Sequence, residues 1–424
     1  MFLRAAAVAV IPATRPPEVD VHIPDGYLSP QTCAAAYAVA VPACAIASRK
    51  VTSVVHTRNV PLLGMFSAVS FLTMMFNVPV PDGTTAHAVG AVIIAIVFGP
   101  WAAIVAVSVA LLFQALLFGD GGVLSYGANV VNMAIIMPFV GLAAYRLISG
   151  RTPLTSRRRT VAAAIGGYLG INAAALAAAV EFGIQPVFFH TASGAPLYAP
   201  YHLSQTVPAM MLAHLTVAGA AEAILTAGVF AYLARADVRR LVPNHPGIPV
   251  TADGRVPGER ASGGPRLRPA RMALGFVAAM VVLTPLGLLA PGGAFGEDAP
   301  GGLDLGKLGL RAIPAGLNTY NGFWSHALLG GYGFSGGQDP ALGYWVSALV
   351  GVAVVGVTIY GLVRLLALVT GRTVPPRERA RALVPAGVSA RGALSGGEAE
   401  AGVHVVPTEG TGATRTPDPA EAGP

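Results

Sequence analysis

"AHAVGAVIIAIVFGPWAAIVAVSVALLFQALLF", residues 86–118, is an apolar run without a charged side chain, broken once at Gly99-Pro100. A helix crosses the hydrocarbon core of a bilayer with about 20 residues, fewer where neighbours shield its ends. Proline favours the start of a helix and opposes its continuation. The run therefore reads as two short spans, 86–98 and 101–118, of a helical membrane protein.

Working outward, comparable apolar stretches occur at 32–48, 60–80, 128–148, 161–181, 207–234, 272–290 and 343–369, which makes nine candidate spans. The whole chain agrees: 54% of its residues are hydrophobic and only 11% charged, too few polar groups to cover a water-soluble globule. The expected fold is all-α, a polytopic membrane protein. With the segment before the first span placed outside, 23 of the 27 Lys and Arg fall in inside loops or at adjoining span ends. Only Arg4, Arg15, Lys307 and Arg311 remain, so basic residues predict an outer N-terminus and a cytoplasmic C-terminus. That use of the net charge of +7 removes it as an argument for nucleic acid.

The Pro, Gly and Arg rich stretch 236–271 reads as a flexible cytoplasmic linker. It separates a seven-helix substrate-binding unit, 21–235, from a two-helix unit with an outer loop, 272–370. The tail 371–424 has no usable periodicity and is expected to be disordered. Cys33 and Cys44 would stand about 16 Å apart on one helix, too far to bridge or share a metal.

Chemistry concentrates in the histidines. On this topology His22, His87, His190, His202 and His326 lie at or near the outer face, His56, His245 and His404 inside, and His214 within the seventh span. Imidazole is the commonest side-chain ligand of nickel and cobalt. His22 and Asp25 sit in the kinked stretch "VHIPDGYLSP", 21–30, just ahead of the first span. His87 follows a turn at Pro81, Asp82 and Gly83. Asn129 and Asn132 share a helix face and suit either capping or hydrogen bonding to a ligand loop. His214 and Glu222, about 12 Å apart along one helix, read as packing or coupling residues. The small residues of "TVAGAAEA", 216–223, suit either internal packing or docking of a partner helix. Glu297, Asp298, Asp304 and His326 read as a solvated outer loop that could collect cations.

"VHIPDGYLSP", "GTTAHAVGAVIIAIVFGPWAA", "GDGGVLSYGANVVNMAII", "EFGIQP" and "HLTVAGAAEAILTA" together resemble the M component (CbiM/NikM) of cobalt and nickel energy-coupling-factor transporters, over roughly 21–235. Residues 272–369, with "PLGLLAPGGAFGEDAP" and "NGFWSHALLGGYGFSGG", look like the small N component that accompanies such proteins. The resemblance implies import of Co(II) or Ni(II), a coupling transmembrane T component and separate cytoplasmic ATPase subunits as partners, and no enzymatic activity of the chain itself. It also implies a chelate made by a free N-terminal amine, the amide and imidazole of the second residue, and a loop histidine. Carried onto this chain, those positions are Val21, His22 and His87.

His22 is twenty-second here, not second, and Val21 carries an amide rather than an amine. A GTG codon gives valine internally but methionine at a start, so translation is expected to begin at position 21, with 1–20 a non-native extension. Proteolytic removal of 1–20 would expose the same amine.

Two other classes fit less well. An intramembrane metallohydrolase needs His-Glu-x-x-His, and His214 is followed by Leu215. A secondary divalent-cation transporter working without an ATPase would carry paired acids near mid-membrane and repeated halves, whereas only Glu222 is present and no repeat is visible. "GGLDLGKL", 301–308, mimics a phosphate-binding loop but has Leu308 where Ser or Thr is required.

Overall fold

Ser29 and Pro30 start the first helix as their chemistry dictates: the Ser29 hydroxyl accepts from the Thr32 amide at 3.1 Å, and Pro30 occupies the first helical position, where no amide proton is needed. In the computed structural model this helix is α1, Pro30–Val54. It is followed by α2 (Val60–Met74), a hairpin of β1 (Val78–Pro79) and β2 (Thr85–Ala86), and α3 (Ala91–Phe98). Then come α4 (Pro100–Phe118), α5 (Tyr126–Ser149), α6 (Arg157–Gly183) and α7 (Leu203–Ala236). The C-terminal part supplies α8 (Pro269–Leu283), the short α9 (Ala315–Tyr320) and α10 (Pro340–Val369).

The structure describes residues 22–54, 60–80, 84–245, 269–289, 299–334 and 339–369, with Ile248 and Gly296. Val21 and the expected extension 1–20, the turn at Pro81, Asp82 and Gly83, His56, most of the linker, Glu297, Asp298 and the tail with His404 lie outside the described residues. All described residues belong to one compact unit between Met1 and Val374.

Among the described residues six helices are long and apolar enough to cross a membrane, against the nine spans expected. The stretches 60–80, 86–98 and 272–290 form shorter helices instead, α2, α3 and α8. For α3 the physical reason is enclosure. All eight of its residues are buried, so it meets other helices rather than lipid and need not match the bilayer's thickness. The break between α3 and α4 falls at Gly99-Pro100, and the side chain of Asn244 donates to the carbonyls of Ala95 (2.8 Å) and Ile96 (3.1 Å) in the last turn of α3. The β1-β2 hairpin, with Val78 opposite Ala86, is the departure from an all-α fold.

The helix packing follows from small residues. A side chain at Gly166 of α6 would meet the Gly141 carbonyl of α5 at 2.7 Å, so the two backbones touch. Gly219 of α7 lies against the Tyr168 ring in the same way, so at this position "TVAGAAEA" packs internally. Along the outside, Leu147, Ile224, Val357 and Leu368 are exposed, an apolar surface suited to lipid. α10 packs along α2, joining the C-terminal segment to the N-terminal helices.

Three of the long helices carry a π-helical turn: Gln114–Phe118 in α4, Val130–Ile136 in α5 and His214–Ala218 in α7. Such turns are rare, and they occur frequently at functional sites because they re-aim side chains out of the regular helical stripe.

Candidate metal site

The stretch from His22 to Ser29 folds over the N-terminal end of α5. Asp25 accepts hydrogen bonds from three successive amides, Val123 (3.1 Å), Leu124 (2.8 Å) and Ser125 (3.2 Å), directly ahead of α5. An acidic group at a helix N-terminus satisfies orphan donors and meets the positive end of the helix dipole. Burial nevertheless leaves its carboxyl above the usual range, the amides only partly offsetting the loss of water. Asn129 clamps the same loop: its Oδ1 accepts from the Ile23 amide and its Nδ2 donates to the Ile23 carbonyl, both at 3.2 Å. Of its two expected uses, the side chain takes the loop bond and makes no cap.

This clamp presents His22. Its Nδ1 lies 3.1 Å from Asp120 Oδ1, while its Nε2 is buried with no hydrogen-bond partner among the described residues. Asp120 is in turn held by the Tyr332 hydroxyl, which donates to Oδ2, and by Gln114 Nε2 at 3.4 Å. Gln114 also donates to Tyr332 at 2.9 Å, and burial beside Asp120 raises the Tyr332 phenol well above its ordinary value. Gly121 makes the close approach possible: its φ is +80°, and a side chain there would sit 2.8 Å from His22 Cβ.

His87 leaves β2 with its ring centroid 5.4 Å from that of His22 and the planes 75° apart. Its Nδ1 faces the Ala88 carbonyl at 3.4 Å. The following residues are pinned by Glu222, whose Oε2 accepts from the amides of Val89 and Gly90, both at 2.9 Å, and whose Oε1 accepts from Thr226 at 3.1 Å. Glu222 therefore positions the loop that carries His87.

His22, His87, His214, Asn129 and Asn132 line one cavity of ≈ 70 Å³, closed elsewhere by Met133, Phe182 and alanines of α6. His214, read from the sequence as a packing or coupling residue, also lines this cavity. Its Nδ1 is fixed on the Met210 carbonyl at 2.8 Å. Asn132 donates to Glu181 at 2.8 Å and keeps Oδ1 buried without a partner among the described residues. No group of three His, Cys, Asp or Glu is gathered tightly enough to hold an ion among the described residues.

The other candidates stand apart. His190 is exposed and faces the Thr191 carbonyl at 2.9 Å, His202 caps α7, and His326 lies against Trp324. The turn at 301–308 is closed by Asp304, which accepts from the Lys307 amide at 3.0 Å. Cys33 and Cys44 are both free. Sequence reasoning did not single out Asp120, Gln114 or Tyr332. An acid inside the Gly run 119–122 between two spans was a usable signal for the first, and nothing in the local sequence marks Tyr332.

The family profile described as the cobalt uptake substrate-specific transmembrane region, CbiM, matches residues 22–240. The chain belongs to the CbiM family. It is a transmembrane subunit of nickel or cobalt uptake, a transport protein and not an enzyme. Similarity to "Fused nickel transport protein NikMN" of Rhodobacter capsulatus is 47% identity over 346 residues, 79% of this chain and 94% of that protein. "Probable fused nickel transport protein LarMN" of Lactiplantibacillus plantarum is 44% identical over 80% of this chain and 97% of its own length. A solved structure described as a truncated transition metal transporter shares 55% identity, covers 50% of this chain and 97% of the other, and has a TM-score of 0.48. Within this CbiM-family chain, every histidine lining the cavity lies in the matched region, whereas Tyr332 lies beyond it.

Proposed function

We propose that the chain is the substrate-binding membrane subunit of an energy-coupling-factor ABC transporter importing Ni(II) or Co(II), and that it captures the ion through an N-terminal chelate. The observation that carries this reading is the meeting of His22 and His87, remote in sequence, at 5.4 Å on a buried cavity. Amine, amide and imidazole nitrogens favour nickel or cobalt over oxygen-seeking ions. The donors would be the amine and amide nitrogens at Val21 and His22, the His22 imidazole, and His87. Only Nδ1 of an imidazole closes a chelate ring with its own residue's amide, so the His22 ring would turn Nδ1 from Asp120 to the ion.

The seven-helix unit 21–235 would carry the site, the two-span unit 272–370 would support it through Tyr332, and 236–271 would join them on the cytoplasmic side. The distribution of basic residues supports a site end that faces outward. The sequence holds no ATP-binding motif, so energy would come from cytoplasmic ATPase subunits joined through a T component.

The test is equilibrium titration with Ni(II) and Co(II) of two purified forms, one starting at Met1 and one starting with Met in place of Val21. The reading expects tight binding by the shorter form and its loss in H87A. Equal binding by both forms would remove the amine from the ligand set.

A further inference from the structure

A second cleft lies away from the ion's cavity, where α2, α8 and α10 meet. Gly64 of α2 and Gly356 of α10 form its floor. A side chain at Gly64 would stand 3.3 Å from the Gly356 carbonyl, so the two backbones pack with no side chain between them. α8 leaves the third side open. Its Val277 and Met280 are buried, whereas Leu274, one turn nearer the start of α8 and on the same face as Val277, is 66% exposed. The result is an apolar groove of ≈ 360 Å³ that runs from Ala68, Val277 and Val352 towards Pro61, Leu274 and Tyr360.

The open end is charged. On the orientation that the basic residues support, the helix ends at Pro61, Leu274 and Tyr360 face the cytoplasm. α10 has 30 residues, about 45 Å at 1.5 Å per residue, against about 30 Å of hydrocarbon core, so its last turns reach the headgroup layer. There Arg364 stands one turn beyond Tyr360. Its guanidinium carbon is 5.4 Å from the Tyr360 ring centre, and one of its N–H groups donates to the phenol oxygen at 3.1 Å. A guanidinium has five donors in a planar fork that matches a phosphate. Arg271 adds a second cation in the first turn of α8, three residues ahead of Leu274. The sequences of α2, α8 and α10 contain no Asp or Glu, so the helices that line the groove leave this end positive.

We propose that this groove binds an anionic phospholipid of the cytoplasmic leaflet, with one acyl chain lying between α8 and α10 and the phosphate held by Arg364. Basic residues at the cytoplasmic end of a cleft between spanning helices suit lipid phosphates. A helix of another subunit fits less well. It is about 10 Å across, so it would bridge the mouth and leave the floor at Gly64 and Ala68 unfilled, whereas an acyl chain one methylene wide reaches that floor. The bound chain supplies the packing that α8 lacks beside Leu274 and fixes it to the α2-α10 pair.

The experiment is native mass spectrometry of the purified full chain, equilibrated in detergent with phosphatidylglycerol or with phosphatidylcholine. The unchanged protein is expected to retain one phosphatidylglycerol and to hold phosphatidylcholine more weakly. R364Q should lower phosphatidylglycerol retention about fivefold, leave phosphatidylcholine where it was, and be partly rescued in R364K. G356L places its side chain in the groove, and its Cβ meets no other protein atom within 4 Å, so it should lower retention of both lipids without disturbing the fold. A melting curve on each variant checks that. The proposal is overturned if the unchanged protein holds the two lipids equally, or if R364Q and G356L both retain phosphatidylglycerol in full. A second measurement places a photoreactive group at the 71% exposed Val357, as Val357→p-benzoylphenylalanine, in native membranes. Attachment to phospholipid is expected, and attachment to another polypeptide would make the groove a subunit interface and overturn the lipid site.

Discussion

His22 and His245 are buried histidines at opposite ends of α5, and the fold treats them oppositely. At His245 every polar atom is used: Nδ1 meets the Leu241 carbonyl, and Nε2 lies 2.9 Å from the Tyr145 hydroxyl. Arg159 completes the cluster by donating to Tyr145 (2.9 Å), Thr152 (2.7 Å) and Gly150 (3.2 Å). At His22 one nitrogen is braced by a carboxylate and the other is buried without a hydrogen-bond partner among the described residues. An unmet buried polar atom costs on the order of 1–3 kcal/mol. A fold that satisfies a histidine is using it as a brace. One that leaves a buried histidine nitrogen unmet on a cavity leaves room for a ligand, which accords with the metal site proposed above.

The hardest test of that distinction is His87. H87A should lose more than the ~100-fold in nickel affinity that removing a ligand's supporting bond can cost, while thermal unfolding without metal moves little. Titration calorimetry and a melting curve on the same sample decide it. Retained affinity would mean that the cavity is not the ion's seat. A smaller effect is expected for Y332F, which removes the hydroxyl that donates to Asp120 but leaves the aromatic packing against Phe118. Affinity should fall by roughly tenfold, and Y332F should add nothing once Asp120 is already Asn. Full additivity in that double-mutant cycle would separate Tyr332 from the His22 brace.

These two positions show what the sequence could and could not disclose. His87 was legible because a histidine at the head of an apolar run, together with "VHIPDGYLSP", forms a recognisable pattern. Tyr332 was not, because its role comes from α10 packing along α2, which brings a distant loop over Asp120. That His214 lines the cavity was not legible either, for a different reason. Helical spacing puts it and Glu222 on one regular helix, but a π-helical turn begins at His214, and hydropathy carries no trace of that turn. The same limit explains the spans: composition marks 86–98 as apolar enough for lipid and cannot say that other helices enclose it.

E222Q should act more weakly on the ion. Both the Val89 and Gly90 amides donate to the one oxygen Oε2, where a neutral glutamine carbonyl is a weaker acceptor than the carboxylate, and the new NH2 faces the Thr226 hydroxyl that now donates to Oε1. The expected result is a few-fold loss of nickel affinity through a loosened His87 loop, with a stability loss on the order of 1–3 kcal/mol. Unchanged amide exchange at Val89 and Gly90 would contradict this positioning role.

The smallest effect on the ion, none, is expected at His245, and here the comparison is most exposed. Burial pushes the His245 imidazole down to about 4 from its ordinary value of 6.5. The folded state therefore holds fewer protons at this residue than the unfolded state between those values. The associated stability is complete above about pH 6.5 and is lost as the pH falls towards 4, a difference on the order of 3 kcal/mol. H245Q should melt below the unchanged protein at pH 7, with the gap narrowing on acidification. The cavity histidines are common to both proteins, so their own protonation cancels in the difference measured with chelator present. Nickel affinity at pH 7 should be the same in both. If H245Q weakened nickel binding as H87A does, the two ends of α5 would be coupled, and a satisfied histidine could no longer be separated from the site by its hydrogen bonds alone.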